Sequence, residues 1–370
     1  MKKLRRKSEV VEKCIEPAVE FFKKMNKEDR VVVIHDDDCD GICSGSILAL
    51  MVRKLGKLNG IISTEYNLPL TENVVKEALS LQPNKIIISD VPEVDLGLLN
   101  KLRKFEIKTL IVDHHKPISY PVSYCNPRVF DKDIYIPASY LAYRIHKHFF
   151  EDNKVLWIAC VGVLADRGVE NCKDVFLKLK EVYPELVGKT KLSESSLFRY
   201  SLLGKLVKVI DAAQVVKGKV GAEFVSRILI DIESYTELLN GGGKCKRILC
   251  WYKTVEKEFN RILEDFQNNR VLIGNGFVFY EIDTKLRMKS RIAGYLSNLY
   301  RKRILIVGQK IGDYFEFSVR RGREVKIDLG KFVKKLINGI DGASGGGHPE
   351  AAAGRVPYKH LNLLLGRLKT

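Results

Sequence analysis

Short, near-continuous apolar runs alternate with helical patterns over the first half of the chain. Residues 31–34 (VVVI), 85–89 (KIIIS) and 109–112 (TLIV) have the length and β-branched content of buried strands. Stretches 44–54, 138–149 and 154–166 repeat their apolar positions at helical spacing. Strands that are apolar throughout, separated by helices, predict a parallel sheet covered on both faces. From 192 to 267 the pattern turns mainly helical, broken by NGGGK at 240–244. A second α/β unit follows, with strands at 277–282, 304–307 and 314–319 and helices at 290–300 and 329–337. A glycine-rich loop at 345–347 and a short helix starting near Pro349 complete it. The expected organisation is an α/β protein with a parallel-sheet domain (1–190), a helical connector (191–268) and a smaller C-terminal α/β domain (269–370).

The length of 370 residues suits two domains, and 45% hydrophobic with 29% charged residues is ordinary for a globular chain. The charge changes the picture. A formal net charge of +18 attracts polyanions, and nucleic acid is the favoured class of partner. The basic run at 1–7 is not followed by an apolar segment, which argues against a secretory signal, and the chain has no apolar stretch of membrane-spanning length. The eight cysteines are scattered without a C-x-x-C pair, so reduced thiols and a cytoplasmic location are expected, with Cys160 a small core residue.

The carboxylates and histidines lie where the strands end. His35-Asp36-Asp37-Asp38-Cys39-Asp40-Gly41 directly follows the first buried strand. Like charges packed this closely raise one another's pKa unless a cation neutralises them. Two further strands end in Ser89-Asp90 and in Val112-Asp113-His114-His115, and Asp166 follows the apolar helix 154–166. In one parallel sheet these ends converge, and open α/β sheets take their ligands at that edge. Asp36, Asp38, Asp40, Asp90, His114 and Asp166 then surround one small volume. Hard carboxylates with an imidazole suit Mn²⁺, with Mg²⁺ as a substitute. So many ligands exceed the needs of one ion and suggest a pair sharing a carboxylate, about 3.5–4 Å apart, that clamps a phosphoryl group and acidifies water. Each motif alone is weak; four in consistent order are not.

Together these motifs resemble motifs I to IV of the DHH phosphoesterases. Gly345-Gly346-Gly347-His348-Pro349, with Ala351-Ala352-Ala353-Gly354 and the strand Ser318-Val319-Arg320, resembles their associated C-terminal domain. The nearest resemblance is to RecJ-like single-strand nucleases of archaeal type. It implies that Asp36 and Asp38 hold a first Mn²⁺ and that Asp40, His114 and Asp166 hold a second, with Asp90 bridging. It further implies that Asp113 orients the His114 ring, that His115 contacts the scissile phosphate, and that Asn126-Pro127 is a structural turn. Where many relatives carry a histidine this chain has Asp36, so His35 competes for that ligand role, and the usual glycine after the motif II aspartate is replaced in Asp90-Val91.

In the C-terminal region consecutive glycines let backbone N–H groups approach a phosphate. Ser318, Arg320, Gly345, Gly346, Gly347 and His348 are the expected substrate-binding residues, aided by the positive end of the helix near Pro349. The leading functional expectation is an exonuclease on single-stranded DNA or RNA, with replication or repair proteins as partners and no membrane association. A nano-RNase or cyclic-dinucleotide phosphodiesterase would use the same two domains on shorter substrates. An inactive replication scaffold would have lost metal ligands, and this chain keeps a full set.

Overall fold

The apolar runs pair into a five-stranded, all-parallel sheet. Its strands are β1 (Arg30–His35), β2 (Lys57–Ser63), β3 (Lys85–Ser89), β4 (Lys108–Val112) and β5 (Ser123–Cys125), in the order β2-β1-β3-β4-β5. The computed structural model describes residues 2–65, 69–274 and 276–369, so Met1 of the basic N-terminal run lies outside them. Both sheet faces are covered, as continuous apolar strands require. Val32, Ile34, Ile86, Ile88 and Ile111 pack in one cluster with Val74, Val75, Leu99 and Leu102. Val31, Val33 and Ile87 are equally buried on the opposite face. The chain leaves β1 for β2 on one side and returns to β3 on the other. That reversal opens a crevice at the carboxyl ends of β1 and β3, the usual ligand position in open α/β sheets.

The helices of this unit are α1 (Lys2–Lys23), α2 (Cys39–Leu55), α3 (Glu72–Ser80), α4 (Leu96–Lys104), α5 (Ala138–Phe149), α6 (Leu156–Ala165), α7 (Lys173–Val182), α8 (Pro184–Val187), α9 (Glu194–Tyr200), α10 (Leu202–Asp231) and α11 (Tyr235–Asn240). Asp38 caps α2 by accepting from the Gly41 amide at 2.9 Å, so the acidic loop is itself the start of a helix. Residues 39–52 of α2 are buried throughout. Helix α10 is broken at Gly218, whose φ of +56° a glycine tolerates without strain.

The chain divides into two compact units, Met1–Tyr252 and Lys253–Thr370, and the division falls within α12 (Cys245–Asn269). It lies inside the helical stretch 191–268. The second unit has a mixed six-stranded sheet of β6 (Val271–Ile273), β7 (Phe277–Glu281), β8 (Ile304–Ile311), β9 (Tyr314–Arg321), β10 (Ser344–Gly347) and β11 (Ala351–Pro357), in the order β10-β11-β9-β8-β7-β6. Only β7 and β8 are parallel among its pairs. Helices α13 (Lys289–Leu299), α14 (Leu329–Ile337) and α15 (Leu361–Arg367) accompany it. Phe315, Phe317, Val319, Val333, Leu336 and Leu364 form its core.

Two expectations fail here. Residues 345–347 are strand rather than loop, and no helix starts near Pro349: Ala351 opens β11 instead. Alanine favours helices, but β11 is hydrogen-bonded on both sides, to β10 and β9, and that pairing outweighs local propensity. The positive helix end expected beside His348 is therefore absent. Among the described residues no helix is long and apolar enough to cross a membrane.

Candidate metal centre

Three strand ends and one helix end converge at the crevice. The Asp36 amide donates to the Ser89 carbonyl at 3.2 Å, the Asp90 amide to Val112 at 2.9 Å, and the Asp113 amide to Cys125 at 2.9 Å. Each acidic residue is thus fastened by the neighbouring strand one step beyond the ladder. Asp90 adopts φ +61°, a left-handed conformation that costs a non-glycine residue energy and that clusters at functional sites. The glycine missing after it is not what shapes this turn.

The carboxylates are buried together. Asp36 is 4% exposed, Asp40 1% and Asp90 2%. Burial, then the charges of Asp38 and Asp37, push the Asp36 carboxyl up to about 8. Burial, then neighbouring aspartates, hold Asp40 and Asp90 well above the usual carboxylate range. Burial likewise raises Asp166, against the opposing field of His114. Asp38 is less buried, and its charge acts on Asp36, Asp40, Asp90 and Asp166. His114 points Nε2 between Asp90 Oδ1 at 3.1 Å and Asp166 Oδ2 at 3.5 Å. Asp90 Oδ1 and His114 Nδ1 have no hydrogen-bond partner.

Donor atoms of Asp40, His114 and Asp166 lie within 4.8 Å of one another, and so do those of Asp90, His114 and His115. Asp36 and Asp38 stand outside these two groups but inside the same field of charges. A divalent cation fits this donor set. It would meet hard oxygen donors, neutralise carboxylates whose ionisation the protein alone disfavours, and occupy the region between His114 Nε2 and two carboxylate oxygens.

His35 is excluded from the cluster. Its ring is fully buried, with Nδ1–H donating to the Asp36 carbonyl at 2.6 Å and Nε2 accepting from Ser226 Oγ on α10 at 2.9 Å. Burial holds its pKa down at about 4, so the ring is neutral. A Cβ at Gly45 would lie 2.8 Å from the ring, so α2 packs directly over it. Of the two competitors for the first ligand position, Asp36 is the one whose side chain faces the other acids.

The expected role of Asp113 needs correction. Its Oδ1 pairs with His115 Nδ1 at 2.8 Å and its Oδ2 accepts from the His115 amide at 3.1 Å, so it orients His115 and not His114. A carboxylate folding back over a turn reaches the residue two positions on, as Asx turns do. Asn126 is more than a turn residue: its amide donates to Asp113 Oδ2 at 3.2 Å and to the His115 carbonyl at 3.1 Å. Burial works against charge on His115, but the hydrogen bond and field of Asp113 outweigh it and raise the pKa to about 8. The His115 side chain is 37% exposed against 6% for His114, so His115 is the ring that solvent or a substrate can reach.

Several supporting groups carry no sequence motif. Thr64 Oγ1 donates to Asp36 Oδ1 at 2.8 Å, and Tyr135 donates to Asp166 Oδ2 at 2.6 Å with its ring edge-on to His114. The first amides of α5, Ala138 and Ser139, donate to Asp40 at 2.7 and 3.1 Å. Pro137 ahead of a helix with unsatisfied first-turn amides was the one legible sign of that last arrangement. A Cβ at Gly162 would lie 2.9 Å from Asp40 Oδ1, which explains glycine in an otherwise bulky apolar helix.

In the second unit, Ser318 and Arg320 share one face of β9. The Arg320 guanidinium donates to Ser290 Oγ at 2.6 Å and to the Val319 carbonyl at 2.9 Å. Gly345, Gly346 and Gly347 pair with Gly354, Ala353 and Ala352, leaving β10 as the sheet edge. A Cβ at Gly345 would lie 2.8 Å from the Ala353 carbonyl oxygen, and Gly347 has φ +146°. His348 is exposed and turns the chain into β11, its amide donating to the Ala351 carbonyl at 2.8 Å.

Comparison with known proteins agrees with the fold. Residues 30–163 match the N-terminal domain of the DHH family and residues 274–370 match the DHHA1 domain. An uncharacterized protein of Methanocaldococcus jannaschii is 25% identical over 341 residues, covering 85% of this chain and 71% of the relative. Among solved structures, the DHH domain of a member of the s1p family of ribosomal proteins superposes with a TM-score of 0.71 at 16% identity, covering 98% of this chain and 91% of that one. RecJ from Thermus thermophilus in complex with Mn²⁺ superposes with a TM-score of 0.68 at 14% identity; the match covers all of this chain and 54% of RecJ.

Proposed function

We propose that this chain, which carries the DHH and DHHA1 domains of the DHH family, is a RecJ-like nuclease hydrolysing single-stranded DNA or RNA with two divalent cations, Mn²⁺ by preference. One observation carries the reading: a buried cluster in which donor atoms of Asp40, His114 and Asp166, and of Asp90, His114 and His115, lie within 4.8 Å of one another, with the carboxyls of Asp40 and Asp90 held well above their ordinary range. Such a cluster is several kcal/mol per charge too costly to keep unneutralised. In this reading Asp36 and Asp38 hold one ion, Asp40, His114 and Asp166 the other, and Asp90 both. When bound, the ions neutralise phosphoryl oxygens and acidify a water.

The protein's own groups do the rest. Thr64, Tyr135 and the α5 amides fix the carboxylates, so little reorganisation accompanies the reaction. Asp113 and Asn126 hold His115 with its Nε2 free to donate to the scissile phosphate or the leaving oxygen. Ser318, Arg320, the glycine edge Gly345–Gly347 and His348 grip a phosphate of the strand. The net charge of +18 favours a long polyanion over a dinucleotide. A cytoplasmic setting with replication or repair partners follows from the same reading.

The test is digestion of end-labelled DNA and RNA oligomers of graded length, with Mn²⁺ and with chelator. Mn²⁺-dependent shortening of long single strands is expected. Cleavage confined to di- and trinucleotides would replace the nuclease with a short-substrate phosphodiesterase, and no hydrolysis of any phosphodiester would leave a scaffold.

A further inference from the structure

The Sγ atoms of Cys14 on α1 and Cys125 at the end of β5 lie 3.1 Å apart, and both residues are completely buried. Helix α1 lies against β5, the edge strand of the parallel sheet, so the two sulfurs meet where a helix covers an otherwise open edge. We propose that Cys14 and Cys125 are a modification site: a thiol pair that closes to a disulfide and fastens α1 to the sheet edge.

Closure needs an approach of about 1 Å, to the S–S length of about 2.0 Å, which small rotamer and backbone shifts supply. Burial, then Cys125, raises the Cys14 thiol well above its ordinary value, so the docked pair exchanges slowly once formed. The reaction therefore takes place while α1 is undocked. A thiolate of one cysteine attacks a small-molecule disulfide, forming a mixed disulfide and releasing one thiol. The thiolate of the other cysteine then displaces the second small thiol. The protein loses two hydrogens and the small disulfide gains them.

The position gives the bond reach. The two residues are 111 apart in sequence, so the link removes much of the unfolded chain's freedom. The Cys125 carbonyl also accepts the Asp113 amide, and Asn126 follows directly, so the fastened strand is the one beneath the Asp113–His115 pair. No proposed metal ligand takes part.

The full chain is incubated with oxidised glutathione in dilute guanidinium, enough to open α1, and a parallel sample is held with a phosphine reductant. After denaturation and alkylation, intact mass and peptide maps are compared. Two of the eight thiols should be protected in the oxidised sample, in one peptide joining Cys14 to Cys125, with an unfolding midpoint higher by on the order of 10 °C. Cys14→Ala and Cys125→Ser should each lose both the protection and the gain in midpoint. The wild-type comparison stands even if a variant fails to fold. Eight alkylated thiols, a cross-link mapped elsewhere, or glutathione retained at either cysteine overturns the proposal.

Discussion

At the carboxyl ends of β1, β3 and β4 the charges are buried and partly unpartnered, whereas along β9 and β10 the polar groups are more exposed and tied to one another. In the first region His114 Nε2 sits among buried carboxylates, 3.1 Å from Asp90 and 3.5 Å from Asp166. In the second, Arg320 is already held by Ser290, and the glycine edge lies open to solvent. Crowded buried carboxylates make ionisation costly in the first region, and on the proposed reading its geometry is set in advance for one kind of partner, a divalent cation. On the proposed reading the second region takes its ligand by exchanging existing hydrogen bonds such as Arg320–Ser290, which suits a grip that must repeatedly release a strand.

The largest test of this contrast is at Asp90. Chelation should abolish hydrolysis, and Asp90→Ala should cost about 4 kcal/mol of transition-state stabilisation, roughly a thousandfold in kcat. Metal content measured alongside should fall. Normal turnover after exhaustive chelation would show that the cluster is not a reaction centre.

A second buried, unpaired group in the same unit sharpens the comparison through pH. His146 is 1% exposed with neither ring nitrogen hydrogen-bonded, and burial lowers its pKa to about 4 against the weaker pull of Asp152. A folded pKa below the unfolded value of about 6.5 means its contribution is fully present above pH ~6.5 and is lost as pH falls toward 4. The loss at pH 4 is about 3 kcal/mol, and His146→Leu should remove it. Denaturant titrations at pH 7 and pH 4 read it directly. An acid limb unchanged by the substitution would reassign the sensitivity to His35, the other buried ring whose pKa is held down at about 4; the cluster carboxyls, with raised pKa values, act in the opposite direction.

Third, His115→Ala should lower kcat roughly a hundredfold with both metals still bound, as expected for a positioned proton donor. Asp113→Asn should act in the same direction, because it loosens the same ring. Loss of metal in either variant would move His115 from donor to ligand. The smallest effect should come from the second region. Arg320→Ala removes a charge-assisted phosphate contact of about 2 kcal/mol, so KM for an oligomer rises roughly thirtyfold while metal content and hydrolysis of a small chromogenic diester stay nearly unchanged. Equal losses on both substrates would erase the division between chemistry and grip.

The difference between the regions also explains what could be read in the sequence. Strands β1, β3 and β4 were legible because they are buried on both faces and therefore apolar throughout, and the aspartates at their ends stood out against that background. β2 and β5 were not, since Asn59-Gly60 interrupts one and the other is three residues long. Residues 345–353 misled because glycine and alanine carry no β signal; partner strands, not side chains, made them strand. Within the site, the spacing of Asp113, His114 and His115 could not say which ring the carboxylate holds. Thr64, Tyr135 and Ser139 were invisible because tertiary folding alone brings them to the aspartates.

The His35–Ser226 bond spans 191 residues of sequence. On the ribosome, β1 to β5 can emerge and pair while Ser226 is still unmade. The acidic loop therefore waits, without its anchor at the buried end of His35, until α10 has been synthesised and has docked. During that interval the His35 ring lacks the partner its Nε2 has in the folded chain, so the packing behind the acidic loop is completed only after the sheet has formed.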